Sequence, residues 1–300
     1  MPDIDRQNLV IGLGVPAALL FLLWAGSHSE GIVFLLSTVA FAFLGLTNYA
    51  LIHEASHHNL HSERRVNNLL GALAGWLFPA SFSFLEVTHQ AHHRNNRTDG
   101  EMFDYYYPDD NLLIKYAQWY SILVGFYPPI IPAGSLLMAL VPGVFRLKPW
   151  RVAKSSSILF DRGLFNDWVV RKIRSEVLLG LCFWVAAWLA LDLDPLSVLI
   201  LYAAFWFNWS TRQYVTHAFS PRDVVNGAWN LTVSRLMGGI FLNGQWDLVH
   251  HNHPHAHWQE LPELGKASRP PSPYWRQYLS LWAGPRPNPE PAPVALDGTP

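Results

Sequence analysis

The chain has 300 residues, half of them hydrophobic, with aromatic and charged residues at 14% each. That balance is too apolar for an ordinary soluble domain. A formal net charge of −1 supplies no basic field, so no nucleic-acid partner is expected, and the single cysteine, Cys182, excludes a disulfide framework and any cysteine-built zinc or iron–sulfur site.

In chain order, the first apolar run covers residues 9–26 and the second residues 31–52, separated only by Ser27, His28, Ser29 and Glu30. Each is about the length that crosses a hydrocarbon core of ~30 Å. The leading segment contains acids and a second run follows at once, so the pair reads as a membrane hairpin and not as a signal peptide. A later pair repeats the arrangement, with residues 177–191 and 196–208 joined by Asp192, Leu193, Asp194 and Pro195. Between the hairpins lie two further apolar stretches, 69–84 and 122–141. The second carries Pro128, Pro129 and Pro132, with Pro142 just beyond, and is expected to form a re-entrant or broken hairpin. Trp206 and Trp209, near the exit of the last run, are expected in an interfacial aromatic belt. From Arg269 onward the chain is proline-rich, so the expected division is one domain over 1–268 and an exposed tail without a packed core over 269–300.

Neither hairpin tip contains a lysine or arginine, whereas segments 61–65, 94–97, 146–154, 162 and 171–174 all do. The positive-inside rule assigns those segments, and with them both termini, to the cytoplasm. The expected fold is therefore all-α and integral to the membrane. It has four transmembrane helices in two hairpins, interfacial or re-entrant helices, and a cytoplasmic helical cap.

The chemistry lies in the histidines, of which there are fourteen, all but His28 falling within a few short segments. Where the second run ends, His53, His57 and His61 follow at i, i+4 and i+8, which on a helix is one face, with His58 beside them. His89, His92 and His93 repeat the idea at i, i+3 and i+4. After the second hairpin come His217 and then Asp247, His250 and His251, the same spacing with aspartate in first place. One His–x₃–His pair is weak evidence, but three clusters emerging on one side of a membrane point to metal binding. Imidazole suits iron, copper, zinc and nickel alike. Since one zinc takes about four ligands, eight or more imidazoles imply two metals, and a redox pair able to use dioxygen is the economical choice. A zinc protease using His53-Glu54-Ala55-Ser56-His57 is the rival of another class, but it leaves the other clusters without purpose. A metal transporter would need ionisable residues within the spans, and the first hairpin has almost none.

The boxes His53–x₃–His57, His89–x₂–His92-His93 and Asp247–x₂–His250-His251, together with the two hairpins, resemble those of the membrane fatty acid desaturase and hydroxylase superfamily over roughly residues 9–262. The segment from His251 to Pro262 is also similar to its counterpart in carotenoid hydroxylases and ketolases. The resemblance implies two Fe²⁺ ions as cofactors and O₂ as co-substrate, with iron ligation by His53, His57, His89, His92, His93, His217, His250 and His251. Asp247 stands where the family usually has histidine or glutamine; Asp247, His58 or His61 completes the set. His253, His255 and His257 read as outer or surface groups. Asp99 and Asp104 are candidates to orient ligand imidazoles by accepting their second ring N–H. The implied activity is oxygen-dependent desaturation of a fatty acyl or similar lipid-like chain, the alternatives within the superfamily being a hydroxylase, ketolase or oxidative decarboxylase. A ferredoxin-type donor with its reductase is expected as partner, since the chain has no electron-transfer module of its own. The expected location is the bacterial inner membrane, with boxes and termini cytoplasmic.

Overall fold

The computed structural model of the protein describes residues 2–143, 165–294 and 296, so the basic segment 146–154 and Arg162 lie outside the described residues. In chain order these residues form α1 (Pro2–Ser27), α2 (Gly31–Ser56), α3 (Arg64–Leu77), α4 (Phe82–Asn95), β1 (Tyr105–Tyr106), α5 (Leu112–Leu123), α6 (Ile130–Leu140), α7 (Asp167–Leu191), α8 (Pro195–Gln213), β2 (Leu231–Thr232), α9 (Arg235–Ile240), α10 (Asp247–Asn252), α11 (Leu261–Leu264), β3 (Ser272–Pro273), α12 (Tyr274–Leu281) and β4 (Arg286–Pro287). They divide into two compact units. One comprises Met1–Glu86, Pro128–Val141 and Asn166–Trp209, and the other Val87–Tyr127, Pro142–Phe165 and Ser210–Pro300.

In the first unit α1, α2 and α7 are long and apolar enough to cross a membrane. The consecutive helices α3 and α4 bend by 98° at a short break, which makes them a broken span or a re-entrant loop and raises the count to at most four. The expected fourth span, 196–208, does form α8, but α8 is not among these candidates because its last turns carry Asn208, Ser210, Thr211, Arg212 and Gln213. Leucine, valine and isoleucine lie exposed along α1, α2 and α7, for example Val10, Leu36 and Leu189. That suits helices solvated by lipid, whose backbone polar groups are satisfied internally.

Inside this unit small residues and amides make the contacts. A Cβ on Gly45 would lie 2.3 Å from the Phe205 ring, so glycine is what lets α8 approach α2. Asn48 donates to the Ala74 carbonyl at 2.8 Å, Asn67 to that of Ala55 at 3.0 Å and Tyr202 to that of Leu77 at 2.8 Å, covering carbonyls at the ends of α2 and α3. Trp209, expected in a belt, is instead buried, edge-on to Tyr49 at 5.0 Å and Phe78 at 5.2 Å. At the start of α4, the Ser81 hydroxyl and the Ser83 N–H and hydroxyl donate to the Glu176 carboxylate at 2.6, 2.8 and 2.6 Å. An anion there satisfies open helix donors and complements the positive end of the dipole.

The second unit is built the other way round, on buried charge. Arg97, in the left-handed region at φ 62°, pairs with Asp104 at 2.8 Å, and both side chains are fully enclosed. Burial works against the Arg97 charge, but Asp104 outweighs it and holds the guanidinium's pKa above its ordinary value. Asp104 also accepts the Tyr214 hydroxyl at 3.1 Å and the Phe219 N–H at 2.6 Å. Trp119, Leu123, Val215, Ala218, Leu231 and Leu281 form the apolar core. The stretch after Arg269, expected as an exposed tail, is partly packed here: β3 pairs with β2, β4 pairs with β1, and Trp119 donates to the Leu281 carbonyl of α12 at 2.8 Å. Proline is tolerated in such two-residue edge strands, while Tyr274, Tyr278 and Leu281 supply the apolar surface that a count of prolines conceals. The expected break within 122–141 is found, with α5 ending at Leu123 and α6 starting at Ile130.

Candidate metal centre

Six histidines converge within the second unit, brought there by three local devices. The α-helical period puts His89, His92 and His93 on adjacent turns of α4. His217 lies just after α8, and the short helix α10 carries His250 and His251, both buried.

They sort into two groups. In the first, the Nε2 of His93 lies 3.2 Å from that of His89 and 3.1 Å from that of His250. A neutral ring nitrogen has either one proton or one lone pair, so His93 Nε2 cannot serve both contacts as ordinary hydrogen bonds. A cation among the three lone pairs can. Two nitrogens bonded to one metal at about 2.0–2.1 Å and at right angles lie about 3 Å apart, which is the spacing found. In the second group, His92, His217 and His251 offer ligand atoms that all lie within 4.8 Å of one another. Their rings stand edge-on, with centroids 4.7 Å apart for His92 and His217 and 5.1 Å for His217 and His251.

Outer contacts fix how the rings face. The His92 Nδ1 is held by the Glu101 carboxylate and the His217 Nδ1 by the Gly227 carbonyl at 3.2 Å, so both rings present Nε2 to the group. Burial opposes a proton on His92, but Glu101 more than offsets it and raises the pKa above its ordinary value. Asp247 lies 3.0 Å from the His217 Nε2. Burial disfavours its charge, yet His217, His251 and the Thr216 hydroxyl together hold the carboxyl far below the usual range. The carboxylate is placed to serve as a ligand or as a countercharge beside His217.

In the first unit, His53 in the last turn of α2 and His57 at its C-cap face each other, with ring centroids 5.2 Å apart and nitrogens within 4.8 Å. Glu54 is buried, 3.4 Å from the His53 Nδ1. His61 does not continue this face, because α2 stops at Ser56 and His58 turns the chain at φ 60°. The His61 Nδ1 accepts the Glu63 N–H at 2.9 Å, and His58 lies 3.9 Å from Glu86. Neither joins a histidine group among the described residues. His253 and His255 are exposed and His257 half-buried.

Asp99 and Asp104, candidates to orient ligand imidazoles, instead bind Arg222 at 2.7 Å and Arg97 at 2.8 Å. Within that loop the acid that meets an imidazole is Glu101, which stands between them. Three acids in one loop have no periodicity to rank them, and sequence reasoning missed it.

The family model described as fatty acid desaturase matches residues 30–282. The chain belongs to the fatty acid desaturase family. No curated protein matches it. The matched span of this desaturase-family chain takes in all three boxes, His217 and α12, and the family implies an oxidoreductase integral to a membrane with a histidine-held metal site. The zinc-protease reading of 53–57 has no support from this match.

Proposed function

We propose that the protein catalyses oxygen-dependent desaturation of a fatty acyl or similar lipid-like chain at a di-iron centre. The observation that carries this reading is the pair of three-histidine groups, His89, His93 and His250 beside His92, His217 and His251, within a chain of this family. One iron would be held by each group. The family pattern adds His53 and His57 as further ligands, and Asp247 is the further ligand proposed beside His217. Bound there, iron supplies activation of O₂ and removal of hydrogen from an unactivated carbon.

The chain's own residues prepare that chemistry. Glu101 holds the His92 Nδ1 proton and Gly227 that of His217, so both rings keep Nε2 as donor to the metal. Burial of His93, His250 and His251 keeps water from the donors. The balance is CH₂–CH₂ plus O₂, two electrons and two protons giving CH=CH and two waters. The electrons come from a ferredoxin-type donor with its reductase, because a single exposed cysteine offers no cluster ligation. We place the protein in a bacterial inner membrane, with its boxes and termini cytoplasmic and four spans in two hairpins.

The test is elemental analysis of the purified protein combined with a lipid profile of cells producing it. Two irons per chain and a new double bond are expected. A hydroxylated or shortened product would keep the metal centre and replace the reaction, while one zinc and unchanged lipids would overturn both.

A further inference from the structure

Helix α12 is apolar on two faces. Tyr274, Tyr278 and Leu281, at i, i+4 and i+7, pack into the core of the second unit. Trp275 and Leu279 are 69% and 66% exposed, and Trp282 follows them at the same spacing on the outward face. A helix apolar on both sides needs cover on both, and no described residue covers the second.

The strip continues onto α5. The Tyr120 hydroxyl donates to the Trp282 carbonyl at 3.0 Å, and Tyr116 lies against Gly284, so the two helices adjoin. One turn before Tyr116, Leu113 is 80% exposed, and beyond the end of α5 Phe126 is 74% exposed. The stretch that carries α12 is rich in cations. Between Glu263 and Glu290 the chain carries Lys266, Arg269, Arg276 and Arg286 and no acid, all four being exposed. Lys266 is ion-paired with Glu263 at the edge of this stretch, while Asp109 and Asp110 precede α5 and Asp110 accepts the Tyr107 N–H at 2.7 Å.

We propose that α5 and α12 form a second membrane contact, lying in the interface of an anionic bilayer with Leu113, Phe126, Trp275, Leu279 and Trp282 among the acyl chains and the four cations at the headgroups. Tryptophan and leucine opposite arginine are the composition of an interfacial helix, and each cation near an anionic surface adds to the attraction. A bilayer is already the solvent of α1, α2 and α7. This contact is independent of the metal centre and of the reaction proposed above.

The test uses the full chain in vesicles of phosphatidylethanolamine and phosphatidylglycerol. In a Cys182→Ser background, Leu279→Cys and Leu113→Cys carry a nitroxide label, with Leu13→Cys on α1 and Glu263→Cys as references. Collision with dissolved oxygen exceeding collision with a water-soluble nickel chelate at 279 and 113, as at 13, is the expected result. Nickel exceeding oxygen, as at 263, overturns the proposal. Shielding from both reagents also overturns it and makes the strip a contact between copies. Should neither labelled variant fold, the unlabelled protein and a Trp275→Phe, Trp282→Phe variant are compared for fluorescence quenching by brominated lipid. Loss of part of the quenching supports the contact, and undiminished quenching overturns it.

Discussion

The two units are stabilised by opposite means. The first exposes leucine and valine on α1, α2 and α7 and hides its few polar groups, so Asn48, Asn67 and the Ser81–Ser83–Glu176 cluster each spend their hydrogen bonds on a helix end. The second hides complete ions, Arg97 with Asp104, and sets Glu101 against His92 and Asp247 against His217 within its cluster of six histidines. In lipid, apolar surface costs nothing to expose, and an unsatisfied backbone group is the main penalty. Buried charge can instead hold a loop in one arrangement, provided every partner is present.

The comparison predicts where substitutions hurt most. His92→Ala or His250→Ala should abolish turnover and lower metal content while leaving membrane insertion intact. Retention of full activity by both variants would refute the ligand assignment. Next comes Asp104→Ala, which strands a fully buried guanidinium and should cost about 3–5 kcal/mol, read as a lower melting temperature in detergent. A loss below about 1 kcal/mol would mean that Tyr214 and the Ser220 carbonyl carry Arg97 alone, and the contrast between the units would fail. In the first unit, Glu176→Gln keeps the shape but weakens three charge-assisted hydrogen bonds at the start of α4, so about 1–3 kcal/mol is expected. If it cost more than Asp104→Ala, the ranking of the two units would be reversed.

These contrasts also show what was legible in the sequence. Apolar runs are local signals, so the ends of α1 and α7 and the start of α2 could be placed, whereas α1 and α7 begin in polar turns at Pro2 and Asp167, well before their apolar runs. The i, i+3, i+4 spacing of His89, His92 and His93 is likewise local, and their convergence on one face followed from it. Features set by distant partners were not legible. The burial of Trp209 against Tyr49 and the packing of α12 on Trp119 depend on contacts far along the chain, and the break after Ser56 that diverts His61 is made by a left-handed turn at His58, a residue type that does not announce one. Glu101 is the instructive case, since nothing but the folded loop separates it from Asp99 and Asp104.

That case yields a finer test. Glu101→Gln retains a hydrogen-bonding group at the His92 Nδ1 but removes the charge that raises the basicity of the ring, and loss of such outer partners lowers metal affinity by about 10–100-fold. Asp99→Asn, which weakens the contact with the buried Arg222 guanidinium and touches no imidazole, should leave affinity within about threefold of the parent, because its cost falls on the stability of the loop and not on a histidine ring. Titration of the metal-free protein with Fe²⁺ measures both. Equal losses in the two variants would mean that loop order, and not the Glu101 carboxylate, sets the ring. The smallest effect belongs to His58→Ala and His61→Ala. The first histidine is half-exposed beside Glu86 and the second is bonded to the Glu63 amide, so neither should change metal content. A drop of one metal per chain on either substitution would show that the first box reaches past the end of α2 after all. The turn at His58 would then have to rearrange on loading, and the rigid contrast between the units would give way to one in which the helical unit adapts.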